Sequence, residues 1–336
     1  MKLNIIKELS NYRVQLIENE KILISRGYSL FKYKNNTVQH LISLDKGIKK
    51  TLTNSDTISR TMRLGISFVI KLLDESYAIF CNKKLIICNK NFNDVRIINI
   101  QIKSKQLMNH NICKTKNGFL FSDYYTNKNR DKIPLYNIDF SGNIEKITEF
   151  SNIRHIHSIQ FDPYNNQYII TSGDYNNEIN LLSLSKDLSK IKKINGGSQK
   201  WRTLEILFTK THMYWGMDSE IEHSFLIEYN RKTKEISTMT RFNGPIYNIK
   251  KLNQNMYVIS TVSEKCKYSN KKIAEILISS DLKNWNTIYS AKKDFYPYIM
   301  GYGRFIIPNG INDKNFIFSG QGLKRIHNNM IIGEIK

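Results

Sequence analysis

Two histidines, His155 and His157, lie two residues apart in the run RHIHSIQFDPYNNQYIITSGDYNNE, which extends from Arg154 to Glu178. On a strand such residues share a side. The pair could therefore hold a divalent cation, act as a general base with its orienter, or form two hydrogen-bonded core histidines. No cofactor is expected. A metal at His155/His157 is the alternative, its third ligand left open between Gln199 and His212. Asp174, just after Gly173, could be a catalytic carboxyl or a turn-capping aspartate. The guanidinium forks of Arg63, Arg154 and Arg202 match the geometry of a carboxylate, and could equally tie neighbouring elements together. Tyr124 and Tyr125 could form a sugar platform, supply a phenolic acid or base, or simply pack.

These residues lie on a β-hairpin. An alternating run (153–161) meets the polar turn Asp162-Pro163-Tyr164-Asn165-Asn166, and a second strand follows over 167–172. The same grammar recurs. Third strands begin near Leu85, Leu135, Leu181, Leu226 and Ile276, in steps of 50, 46, 45 and 50 residues, and each leads through a polar turn into a fourth strand. A period of ~40–50 residues with about four strands per unit is the propeller pattern. The expected fold is an all-β propeller forming a single domain over 1–336. It has seven blades of four-stranded antiparallel sheets, with six as the alternative. The N-terminal strand, expected at Tyr12 to Ile17, completes the last blade and closes the ring. The stretch from Lys46 to Arg60 is the poorest strand candidate and reads as a long loop or a short helix.

Propeller connectivity puts the start of each blade's innermost strand and the end of its second strand on one face. Sorted this way, His155, His157, Asp174, Tyr124, Tyr125 and Asp218 are the candidate catalytic residues. Arg63, Arg130, Arg154, Gln199, Arg202, Tyr247, Glu264 and Tyr302 are the candidate substrate-binding residues. All gather around the central channel. Trp201, Trp215 and Trp285 read as structural, as does the Asp162 turn on the opposite face.

The chain carries 51 Lys and Arg against 29 Asp and Glu, a net charge of +22. This suits an anionic partner, although Lys, Asn and Ile are abundant throughout and the lysines are scattered. No nucleic-acid motif or concentrated basic stripe is evident, which makes nucleic acid an unfavoured partner. The four cysteines form no CxxC pair, so a zinc site or disulfide framework is not expected. Cys81 and Cys88 fall in apolar strand patterns as buried thiols. The N-terminal residues lack an apolar signal core, and no run approaches the ~18 apolar residues of a membrane span. A cytoplasmic location is expected; the oligomeric state is open.

The runs SRTMRLGI (59–66), SDYYTNKNRDKIPLY (122–136), 153–178, GGSQKWRTLEILFT (196–209), YWGMDSEIEHSFLIEYNRKT (214–233) and YGRFIIPNG (302–310) resemble an uncharacterised group of sialidase-like, BNR-type β-propellers described as glycosyl hydrolase-like. Ser280-Asp281-Leu282-Lys283-Asn284-Trp285 resembles a degenerate Asp-box turn, with the glycine replaced and the spacing one short. The R-I-P motif of true sialidases is absent. The resemblance implies a carbohydrate-active protein. A glycoside hydrolase would need two carboxyls ~5–9.5 Å apart, from among Asp174, Asp218 and Glu264. A polysaccharide lyase would use His155, His157, Tyr124 or Tyr125 as base, with an arginine neutralising the uronate. The remaining reading is a non-catalytic propeller that binds a glycan or a protein in surface-polysaccharide or glycoprotein assembly.

Overall fold

The computed structural model describes residues 1–18, 21–45, 47–253, 255–268, 272–310 and 314–336. Seven four-stranded antiparallel sheets form the ring of a β-propeller. Blade 1 comprises Arg13–Glu18, Lys21–Arg26, Ser29–Lys34 and Thr37–Ser43. The inner strands of blades 2 to 7 begin at Ile66, Ile112, Ile156, Ile206, Ile246 and Arg304. Ile-rich strands pack between blades, as in the cluster of Leu120, Ile156, Ile159 and Ile170 that joins blades 3 and 4. Asparagine serves the turns. Among the described residues, seven of the fifteen non-glycine residues with positive φ are Asn, whose short polar side chain tolerates the left-handed region. Cys81 and Cys88 are buried free thiols. No helix of the described residues is long and apolar enough to cross a membrane.

Ring closure differs from expectation by one strand. Leu3–Leu9 pairs with Met330–Ile335 as the outermost strand of blade 7. The strand expected to do this is instead the innermost strand of blade 1, where Val14, Gln15, Leu16 and Ile17 are all buried. Backbone Val14 N–H donates to Ser319 Oγ of blade 7 at 2.9 Å, fastening the seam.

Lys46 lies outside the described residues. Beyond it, the segment before blade 2 forms two short helices, Ile48–Leu52 and Asp56–Met62. Ser55 caps the second, and Arg63 ends it in the left-handed conformation with φ +53°. This insert lies on the face where inner strands begin. Thr61 O accepts from Lys105 Nζ at 2.6 Å, and Arg60 Nη1 meets Asp294 Oδ2 at 2.6 Å and stacks over the Tyr296 ring at 4.2 Å. It therefore reaches from the loop between blades 2 and 3 to the loop between blades 6 and 7.

Four inner strands carry a β-bulge near their start, at Gln15, Ser67, His157 and Tyr247. A bulge re-aims the extra side chain and commonly sits beside functional sites. It is the local device that frees His157 and Tyr247 from strand alternation.

Candidate functional site

Asp174 is the hub of the site. It follows the second strand of blade 4, beyond Gly173, whose φ of +80° and crowding against Glu178 leave no room for a side chain. Asp174 Oδ2 accepts from Arg154 Nη1 at 2.8 Å. Oδ1 lies 2.9 Å from His157 Nε2, 3.4 Å from His155 Nε2 and 3.2 Å from Arg202 Nη2. Gln199 Nε2 donates to the Asp174 backbone carbonyl at 3.0 Å. Burial alone would raise the proton affinity of Asp174. The close approach of His155 and the bond from His157 overcome that and hold it well below the usual carboxylate range. Asp174 is thus a permanent anion that orients its neighbours.

His155 is buried, its ring 4.1 Å from that of Tyr124 and 4.7 Å from that of His157. Neither of its ring nitrogens has a hydrogen-bond partner among the described residues. The 3.4 Å approach to Asp174 is an ion-pair distance without hydrogen-bond geometry. Burial lowers the pKa of His155, with Asp174 offsetting only part of the effect, so the imidazole is neutral. A buried neutral imidazole with free nitrogens is equipped to take a proton.

Asp218, after the second strand of blade 5, lies 3.6 Å from both His157 Nδ1 and Arg202 Nε. Arg202 also approaches Glu220 at 3.6 Å. Although burial lowers the Arg202 pKa, the carboxylates of Asp218, Asp174 and Glu220 outweigh it and fix the charge. In blade 6, Tyr247 donates to Glu264 Oε2 at 3.2 Å. Glu264 Oε1 has no hydrogen-bond partner among the described residues. Burial, then the like charges of Asp218 and Glu220, push Glu264 well above the usual carboxylate range, which makes it a proton carrier. Burial and the Glu264 charge push Tyr302 up to about 12.

The structure thus brings together His155, His157, Asp174, Arg154, Gln199, Arg202, Asp218, Tyr124, Tyr247, Glu264 and Tyr302. Three candidates stand apart. Tyr125 packs on the core between blades 3 and 4, its hydroxyl 3.3 Å from Lys103 Nζ. Arg130 Nε is bound to Glu178 at 2.6 Å, tying blade 3 to blade 4. Arg63 sits on the exposed end of the helical insert. Arg154 and Arg202, expected as a carboxylate clamp, already serve the protein's own carboxylates. His212 begins the second strand of blade 5, at the opposite face. Glu220, Arg13 and His110 complete the site face and were missing from the sequence reading. His110 precedes the inner strand of blade 3, and burial pulls it down to about 3.

His155, His157 and Asp174 each offer one ligand atom, all within 4.8 Å of one another, which is compact enough for a metal. Arg154 and Arg202 occupy the same carboxylate, however. A divalent cation there would face two guanidinium charges, so the donor set fits an orienting ion pair better.

No family model matches the chain, and no curated protein matches it. Among solved structures, it is similar to virginiamycin B lyase from Staphylococcus aureus, with 9% identity, a TM-score of 0.63 and full coverage of both chains. A chain of the mitotic checkpoint complex matches with 6% identity and a TM-score of 0.62 over 99% of this chain and 94% of that one. The extracellular domain of a putative one-component system from B. thetaiotaomicron matches with 13% identity and a TM-score of 0.58, over all of this chain and 40% of that one. These likenesses establish the seven-bladed propeller and nothing finer.

Proposed function

We propose that this protein is a lyase that cleaves an acidic glycan by β-elimination, with His155 as the base. The observation that carries the reading is His155 itself: buried, neutral, without a hydrogen-bond partner at either ring nitrogen among the described residues, and in tilted ring contact with Tyr124. The sialidase-like motifs and the +22 charge support an acidic sugar as substrate. The solved lyase above shares only the fold, and fold does not imply function.

In this reaction His155 removes the proton from the carbon beside the sugar carboxylate. The electron pair becomes a C=C bond as the bond to the glycosidic oxygen breaks. Glu264, held protonated by burial and by its acidic neighbours, gives a proton to the departing oxygen. No water is consumed. Asp174 keeps its charge throughout and fixes His157, Arg154 and Arg202 around the base.

One observation favours hydrolysis as a second reading. Glu264 and Asp218 are neighbouring carboxyls, and burial with the Asp218 charge raises the proton affinity of Glu264, which suits Glu264 to the acid role of a glycosidase. A panel of acidic glycans, assayed for ultraviolet absorbance of an unsaturated acid and for reducing ends, separates the outcomes. Absorbance that disappears in His155→Gln and Glu264→Gln supports elimination. Reducing ends without absorbance replace it with hydrolysis. Binding without either product makes the propeller a non-catalytic glycan receptor.

A further inference from the structure

The charges on the site face divide unevenly around the channel. On the side of blades 4 to 6, each cation meets a carboxylate, as Arg154 and Arg202 do. On the side of blades 7 and 1, two arginines meet none among the described residues. Arg13 and Arg304 are each the first residue of an innermost strand, in adjacent blades and at matching register positions opposite Ser25 and Gln321. Arg13 Nη2 donates to the Ser67 carbonyl at 3.3 Å, and with the Gln15 amide turned to suit its neighbours, Gln15 oxygen accepts from Arg13 at 3.1 and 3.2 Å. Arg304 Nε donates to Gln321 Oε1 at 2.7 Å. Every one of these acceptors is neutral.

The two guanidinium groups also feel each other. Burial, then the Arg304 charge, pulls Arg13 down to about 10, and burial with the Arg63 charge lowers Arg304. Arg13 and Arg304 are each half-buried, and like charges brought together at the edge of the interior without a counter-ion are unfavourable. Hydrogen bonds to glutamines fix the direction of the forks and leave that cost standing. The group that would offset it is an oxyanion, whose oxygens match two guanidinium forks. Arg63 approaches the same place from the helical insert that is tethered at Arg60–Asp294 and Thr61–Lys105.

We propose that Arg13 and Arg304 form an oxyanion subsite beneath the helical insert, and that the carboxylate of the acidic sugar binds there. A bound oxyanion also attracts Arg63 and holds the insert against the ring. The identity of the molecule carrying the oxyanion rests on the His155 reading; oxyanion binding itself does not.

The test is thermal unfolding of the full chain titrated with glucuronate, inorganic sulfate and inorganic phosphate, against glucose and against sodium chloride at equal ionic strength. Glucuronate is expected to raise the melting temperature where glucose and chloride do not. In Arg304→Gln and Arg13→Gln most of that rise is lost. Both variants should also match or exceed the wild type in chloride alone, because each relieves an uncompensated repulsion. Hydrogen exchange over 47–64 should slow when glucuronate is present. Equal stabilisation of wild type and both variants overturns the subsite. A response to sulfate or phosphate without one to glucuronate overturns the carboxylate assignment. His155→Gln should bind glucuronate like the wild type. Oxyanion binding without turnover on any acidic glycan therefore refutes only the lyase reading, and turnover without oxyanion binding refutes only the subsite.

Discussion

At the scale of single residues, the site separates groups that act from groups that hold. His155 has no hydrogen-bond partner to lose among the described residues, whereas Asp174 is bound by Arg154, His157 and Arg202. His155→Gln should change stability by less than about 1 kcal/mol and cut turnover by about 10²–10⁴, the usual loss on removing a general base. Asp174→Asn should cost about 3 kcal/mol, because it leaves two arginines facing a neutral group. Urea unfolding alongside the elimination assay checks both. A large stability loss in His155→Gln would return His155 to the role of a core histidine. Sequence spacing found the pair but not its geometry. Strand alternation would place His155 and His157 on one side, yet His155 precedes the strand and a bulge displaces His157. They meet because that bulge turns His157 towards the end of the second strand.

At the scale of elements, what could be read from the chain follows strand length and burial. Blade 4 was legible because its first two strands have seven and six residues joined by a turn rich in Asp, Pro and Asn. The inner strand of blade 3, Ile112–Lys114, has three residues, too short to show alternation, so its start and His110 before it could not be placed. Arg13 was missed through the closure. Leu3–Leu9 is largely exposed and its apolar residues do not alternate with polar ones, so the first strand with a clear pattern reads as the closing one. The turns on the far face were legible as structure. Asp162 accepts from Arg231 Nη1 at 2.6 Å and Nη2 at 2.9 Å, joining blades 4 and 5, and it is fully buried. Asp281 caps the Asp-box-like turn through the Lys283 and Asn284 amides at 2.9 and 2.8 Å. Asp162→Asn breaks a buried two-point pair and should cost about 3–5 kcal/mol. Turnover per folded molecule should be unchanged, because the pair lies on the face opposite His155. Active-site titration of the refolded variant checks this, and a loss of turnover per site would show that the two faces are coupled.

At the scale of the whole molecule, the site face confers a pH dependence of stability whose sign follows from its buried and half-buried histidines. Burial depresses His155, His110 and His327, the last two to about 3 and about 4, from an ordinary value near 6.5. Below that ordinary value the unfolded chain binds protons that the folded chain refuses, so acidification favours unfolding. The stability is fully present above about pH 6.5. It is lost as the pH falls towards the folded values, at up to about 1.4 kcal/mol per pH unit for each histidine. Glu264 acts in the opposite sense. Its folded pKa is raised, so it contributes stability at low pH that is lost as the pH rises above about 4.3. Melting temperatures measured from pH 4 to pH 8 should therefore rise steeply to about pH 6.5 and then flatten. His110→Asn should flatten the acid limb, and Glu264→Gln should steepen it by removing the opposing titration. A His110→Asn profile parallel to that of the wild type would show that this histidine is hydrated in the channel. The channel would then have to be wet where Arg13 and Arg304 face it, which would weaken the electrostatic case for an oxyanion between them as well.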